Sequence, residues 1–488
     1  MTERPMLAMI AVALIVVAVW VGVFFRHAGL IGGCLGVLLL GSCFGHAYYH
    51  VNIGPLPVTA ERVLLGGVLV GYLLLRARKR VDVKQLNHMD VLLIAFMVVL
   101  LISTLTHDWR ANNFQALASL VFFYVAPSML YWIARESWLS QRALLGCLAF
   151  LAGFGLYLAA TSVFEQQQVE SLVFPRYVTS EAHVEFLGRG RGPFLNPVGN
   201  GFFLCAGLFS LLMFWPRVNR YGRGLLLLVA LVYVAGIWCT LTRVAWLSAG
   251  IGLMTLLVIN LPRRWGLVTV VAAAILAAGV MVVKWDDLNA FKRDRHVSVT
   301  EMSRSASLRP ILTYLAWRIY LDHPLAGCGY RQYETVVGHY VSDRSTTLPL
   351  EQGRNYVQHN VFLALLAETG IVGMSLFLLL LITLARTSWR LCRASGAGLA
   401  SRQLGLFMLL MLGTYVTMGM FQDLALIPMV HMLVFFLAGL TRNLQQQWVR
   451  SVVPIGAGAL PGAYQQPWPH ASCTLSRRSG TVREPLLR

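Results

Sequence analysis

The sequence predicts an all-α, polytopic helical membrane protein, and three observations predict it. Hydrophobic residues make up 57 % of the chain and charged residues only 12 %. The apolar residues fall in continuous runs near the ~20 residues that a helix needs to cross a bilayer. Lys and Arg, 40 against 21 Asp and Glu, gather in short clusters at the ends of those runs, the pattern of positive-inside loops. Helices follow because a spanning segment must satisfy its backbone hydrogen bonds internally, and continuous runs are not the short alternating strands of a barrel. The dispersal of the basic clusters also argues against nucleic acid as the partner behind the formal charge of +19.

Taken in order, the predicted spans are 6–25, 29–48, 58–75, 91–105, 114–133, 143–164, 198–215, 224–241, 244–261, 265–283, 361–384, 403–421 and 424–440, about 12–13 in all by the length criterion. The first run lacks a small-residue cleavage site and is taken as a retained span. Arg76-Ala77-Arg78-Lys79-Arg80 with Lys84 is strongly basic and marks a cytoplasmic connection. Counting onward, Arg135/Arg142, Arg217/Arg220/Arg223, Arg263/Arg264 and Arg386/Arg390/Arg393/Arg402 fall on the same side. The expected organisation is therefore transmembrane helices over 1–284 with an outer loop at 165–197, a large outer (periplasmic) loop with helices over 285–358, and C-terminal transmembrane helices over 359–440. A disordered cytoplasmic tail, rich in Pro, Gly, Ser and Arg, is expected over 441–488. Within the large loop Ser305 to Pro310 reads as a helix start. Leu308, Ile311, Leu312, Leu315 and Ile319 then repeat at helical spacing until Asp322-His323-Pro324 and the turn Gly327-Cys328-Gly329.

The eight cysteines form no C-x-x-C, so neither a disulfide framework nor a zinc site is supported. Asp286-Asp287 is the only adjacent Asp pair in the long loop and reads as hydrated surface. No metal or other cofactor is expected. The polar residues of interest share the outer face. His359 opens one span, Arg243 sits in the tight turn after Thr240-Leu241-Thr242, and Arg189 and Arg191 lie in Gly188-Arg189-Gly190-Arg191-Gly192-Pro193-Phe194-Leu195-Asn196-Pro197. Arg309 and Arg354 belong to the long loop. Guanidinium forks pair with phosphate oxygens at any working pH, so this set suits a diphosphate on a lipid carrier. The blander reading makes a span-end arginine a snorkelling anchor and a lone His a cap. Arg243 resists it, since it lies on the face that avoids positive charge. Neutral His359 could take a proton from an acceptor hydroxyl. Asn360 could orient a sugar or phosphate, or cap the helix. Glu368, nine residues on, lies on the face away from His359 by the helical repeat and is expected in a structural or gating pair.

At these residues the chain resembles the O-antigen ligase and O-antigen polymerase superfamily of bacterial membrane glycosyltransferases. Arg189 through Pro197 looks like its R-x-x-G-x-F-x-N-P segment, which favours Arg189 over Arg191. Thr240-Leu241-Thr242-Arg243-Val244-Ala245-Trp246 is similar to its T-x-S-R-x-A-W turn, with Thr242 where Ser is usual. Arg309 through Trp317 to Asp322-His323-Pro324-Leu325-Ala326-Gly327-Cys328-Gly329 resembles its R…W…D-H-P-x-x-G-x-G stretch. His359-Asn360-x-x-Leu363 with Glu368-x-Gly370 looks like its H-N-x-x-L…E-x-G signature. One extra span near the N-terminus departs from the twelve-span plan of the ligases.

The resemblance implies a GT-C-type architecture in the bacterial inner (plasma) membrane, active towards the periplasm. It implies an inverting, metal-independent transfer from an undecaprenyl-diphosphate-linked glycan donor to a hydroxyl on a glycan, lipid or protein acceptor. Arg189 and Arg243 would hold the diphosphate, with Arg191 and Arg309 as further candidates, and His359 would activate the hydroxyl. Two other classes stay open on the residues alone. A flippase or transporter for a lipid-linked glycan would also use a basic cavity, and it predicts mid-membrane charges and broken helices in corresponding halves. A non-catalytic membrane component of a polysaccharide assembly complex would leave the four polar patches without a task.

Overall fold

A computed structural model describes residues 29–45, 48, 50–53, 56–262, 264–266, 268, 269, 272, 299–354 and 356–452. The predicted span 6–25, most of 265–283, Asp286-Asp287 and the tail beyond 452 lie outside the described residues. What is described is a helical bundle: α1 (Gly29–Cys43), α2 (Ala60–Ala77), α3 (His88–Leu105), α4 (Ala111–Leu120), α5 (Ala126–Glu136), α6 (Gln141–Gln166), α7 (Pro197–Leu212), α8 (Arg220–Cys239), α9 (Arg243–Asn260), α10 (Val299–Asp322), α11 (Val361–Arg393), α12 (Leu399–Gly419) and α13 (Pro428–Val452). Eight helical stretches among the described residues are long and apolar enough to cross a membrane. The all-α polytopic expectation therefore holds, and each described span lies close to where the apolar runs put it.

The boundaries follow local chemistry. Asn87 caps α3 in a capping box with Asp90, and Ser140 caps α6 through the Ala143 N–H. α4 and α5 are joined by a π-helical turn at Val121–Val125, giving one apolar stretch over Gln115–Glu136. Three differences from expectation have physical causes. The chain after α1 turns through a small antiparallel hairpin, Val51–Ile53 with Leu56–Val58, where a plain connection was expected. α10 begins at Val299, so Pro310 lies inside the helix and not in its first turn; proline there removes one N–H donor while the apolar face on either side stays buried. α13 runs to Val452, past the expected boundary at 440, because Thr441, Asn443 and Gln445 are buried against the bundle.

Two apolar cores result among the described residues. The larger runs through the bundle, with Phe96, Phe202, Phe209, Phe407 and Phe436 fully enclosed. The smaller is built by α10 and the loop after it, from Leu308, Ile311, Leu315, Ile319, Tyr333 and Val337. The two meet at a break in α11. Gly370 has φ 62 and ψ −165, a conformation open essentially to glycine alone. The freed backbone is taken up by the 324–329 loop: Ile371 N–H donates to Pro324 O at 2.8 Å, Cys328 N–H to Ala367 O at 2.9 Å and Gly329 N–H to Glu368 O at 3.0 Å.

Candidate functional site

The first arginine patch is held by backbone. Gly190 N–H donates to Cys239 O at 2.8 Å, and a Cβ on Gly190 would sit 2.8 Å from the Ser162 side chain. The glycines of this segment thus let the loop approach the ends of α6 and α8. Arg189, 4 % exposed, donates from Nε to Thr240 O at 3.2 Å and from Nη2 to Thr242 Oγ1 at 2.8 Å. It therefore grips the turn immediately ahead of half-buried Arg243, the first residue of α9. Arg191 points elsewhere. Its guanidinium is fully enclosed, donating to Val178 O at 2.6 Å and to the carbonyls of His183 and Glu185, with Glu165 3.3 Å from its Nε.

His359 stands half-buried at the start of α11. Its neighbour Asn360 caps the helix, accepting at Oδ1 from Phe362 N–H at 2.9 Å and Leu363 N–H at 3.1 Å. The Asn360 amide also donates to Met420 O at 3.0 Å, which fastens the C-terminal end of α12 beside His359. The hollow over the histidine is walled by Arg309, Leu312, Leu363, Met420 and Phe421, with the Arg309 guanidinium 5.7 Å over the Phe421 ring. Burial and the Arg309 charge both lower the His359 pKa, and a hydrogen bond with the Gln422 side chain opposes them. The net direction keeps the ring neutral at pH 7, the form that can accept a proton. Arg354 lies away from the hollow, exposed and paired with Glu351 at 2.6 Å.

Glu368 lines a second, smaller hollow with Tyr124, Tyr330, Arg331 and Asp423. Arg331 is a cation that lines the same hollow. Burial pushes the Asp423 carboxyl up to about 6, against the pull of Arg331. The two hollows share the 420–423 segment as a wall. That same end of α12 also reaches the arginine patch: Met418 lies beside Gly201, which touches Ala245 two residues past Arg243. Arg331, Gln422 and Asp423 were not singled out by motif. Arg331, with φ 60, follows the Gly327/Gly329 turn, and Gln422-Asp423 occupies the tight turn between the last two predicted spans, where polar residues are expected and carry no motif.

Fold and site together define a class: a polytopic all-α membrane protein with a cationic, histidine-bearing polar end. A family model described as O-antigen ligase matches residues 225–378, which supports the O-antigen ligase and polymerase superfamily for this chain. The matched stretch carries Arg243, Arg309, His359, Asn360 and Glu368, while Arg189 and Arg191 precede it. No curated protein matches the chain. The family match supports a membrane enzyme of O-antigen or polysaccharide assembly.

Proposed function

We propose that the chain is a membrane glycosyltransferase that transfers or polymerises an undecaprenyl-diphosphate-linked glycan onto an acceptor hydroxyl, at the periplasmic face of a bacterial inner membrane. The observation that carries this reading is the joining of three sequence-distant elements at one end of the bundle. Arg189 grips the Thr240–Thr242 turn that presents Arg243, and the end of α12 connects that turn region to His359. The positive-inside distribution of the basic loops supports the sidedness.

In this reaction neutral His359 takes the proton of the acceptor hydroxyl as its oxygen attacks the anomeric carbon of the donor sugar. The bond to the diphosphate breaks with its electron pair on the leaving oxygen. Attack from the face opposite the leaving group inverts the anomeric centre. Arg243, supported by Arg189 and with Arg309 across the His359 hollow, meets the charge that develops on the diphosphate, so that arginines do the work a divalent cation does elsewhere. Arg191 is assigned to holding the loop, and Asn360 to holding the helix start that carries His359.

The test is the length distribution of glycans on undecaprenyl diphosphate in cells carrying His359→Ala, compared with wild type. Long chains accumulating on the carrier identify a ligase, and single repeat units a polymerase. An unchanged distribution with folded protein present overturns the assignment of His359 and returns the transporter and scaffold readings to the front.

A further inference from the structure

We propose that the end of the bundle remote from His359 carries a binding site for the headgroup of an anionic phospholipid, formed by arginines of the α7–α8 and α11–α12 connections. The site does not depend on the reaction at His359. Arg217, Arg220 and Arg223 belong to the first connection, and Arg390, Arg393 and Arg402 to the second. All are exposed except Arg217, which is half-buried. The fold joins the two groups through buried Gln403. Its Nε2 donates to Met213 O at 2.5 Å, and Arg217 donates both to Met213 O, at 3.1 Å, and to Gln403 Oε1. Next to Gln403, Arg402 donates from Nε to Cys392 O at 3.2 Å, one residue from Arg393. A Cβ on Gly405 would sit 2.7 Å from Cys392 N, so α11 and α12 touch at this end.

The chain supplies no carboxylate to offset these charges. The sequence has no Asp or Glu between Glu185 and Asp286, and none between Glu368 and Asp423. Among the described residues none of the six arginines stands in an ion pair, whereas elsewhere at the same end Arg135 pairs with Asp90 and Arg76 with Glu136. The helices add to the excess. Arg220 and Arg223 lie in the first turn of α8 and Arg402 in that of α12, where the macrodipole is itself positive and an acidic residue is the stabilising choice. An anion from outside the chain supplies what the chain leaves out. The tryptophans point to a lipid headgroup as that anion. Arg223 lies 5.4 Å over the Trp215 ring and Arg393 4.6 Å over that of Trp389, and both rings are exposed. Exposed tryptophan at span ends marks the headgroup level, where basic pockets between helices hold anionic lipids. Guanidinium forks at that level meet phosphate oxygens directly.

The experiment uses the full chain in nanodiscs of phosphatidylcholine, with and without phosphatidylglycerol. It reads the thermal midpoint and, by native mass spectrometry after release, the lipids that stay bound. Wild type should retain phosphatidylglycerol over phosphatidylcholine and melt higher in its presence. The triple variant Arg220→Gln/Arg223→Gln/Arg393→Gln leaves the Arg217–Gln403 joint intact. It should bind phosphatidylglycerol roughly tenfold or more weakly, since each basic residue at a membrane surface is worth about a fivefold change in affinity. Arg223→Gln alone reports if the triple variant fails to fold. The control, Arg78→Gln/Lys79→Gln/Arg80→Gln, removes three charges from the α2–α3 connection and should leave both readouts near wild type. An equal loss in the control overturns the site in favour of general charge attraction. Wild type that retains the two lipids alike overturns it as well. Equal stabilisation by inorganic phosphate or glycerol 3-phosphate in phosphatidylcholine alone overturns the lipid as occupant.

Discussion

Arg189 and Arg191 are two residues apart, and the fold gives them different work. Arg189 reaches across to the turn before Arg243, whereas Arg191 is closed over by three loop carbonyls and Glu165. Removing one partner of a buried ion pair leaves the other uncompensated, at a cost of about 3–5 kcal/mol. Arg191→Ala should therefore lower the thermal midpoint of detergent-solubilised protein. Adding Glu165→Ala should cost less than the sum of the two single changes, which a double-mutant cycle reads directly; strict additivity would mean the pair does not interact. The sequence favoured Arg189 only through the spacing of a motif, since an Arg-Gly-Arg run carries no sign of which guanidinium turns inward.

The elements were the legible part, because bilayer thickness imposes a length and an apolar content that any reader of the chain can count. The break inside α11 was not legible, as the predicted span runs unbroken from 361 to 384 across Gly370. Its cause is the loop that docks there. A Cβ on Gly370 would lie 2.4 Å from the Leu325 carbonyl carbon, and one on Gly327 would lie 2.3 Å from that of Glu368. The glycines of the Asp322–Gly329 and Glu368–Gly370 signatures are thus two halves of one joint, which explains their presence in both without invoking substrate. Gly370→Ala should cost on the order of 1–3 kcal/mol for its backbone conformation alone, with the steric clash added. The check is protease susceptibility of the 322–354 segment in intact membranes, expected to rise in the variant. Unchanged cleavage would mean that the joint tolerates a side chain.

Across the whole molecule, the end opposite His359 is closed by a network of charges. Arg135 donates to Asp90 at 2.7 Å with both side chains fully enclosed, and Glu136 lies 3.2 Å from it. Tyr131 donates to Asp90 at 2.5 Å and Tyr72 to Glu136 at 2.7 Å. Lys84 donates to Asn443 Oδ1 at 2.5 Å, and Asn443 in turn donates to Ala134 O at 2.8 Å and Ser137 O at 2.7 Å. Burial drops the Lys84 pKa to about 8 despite Asp82 nearby. Basic clusters at that end were read from the sequence as signs of sidedness, and the structure gives several of their members a second task as fasteners. Arg135→Met should leave Asp90 buried without its cation and reduce the amount of monodisperse protein recovered from membranes by several-fold, as measured by size-exclusion fluorescence. Wild-type yield would show that Tyr131 and the backbone suffice to hold Asp90.

That network joins segments made at very different moments of synthesis. Lys84, Asp90 and Arg135 are made long before α13 emerges, yet Asn443 of α13 accepts from the Lys84 ammonium and donates to the Ala134 and Ser137 carbonyls that flank Arg135. Until then the Lys84 ammonium lacks the amide acceptor that it has in the finished fold. The last contact of this polar end therefore awaits α13, whereas the Arg135–Asp90 pair can close as soon as α3 and α5 are in place.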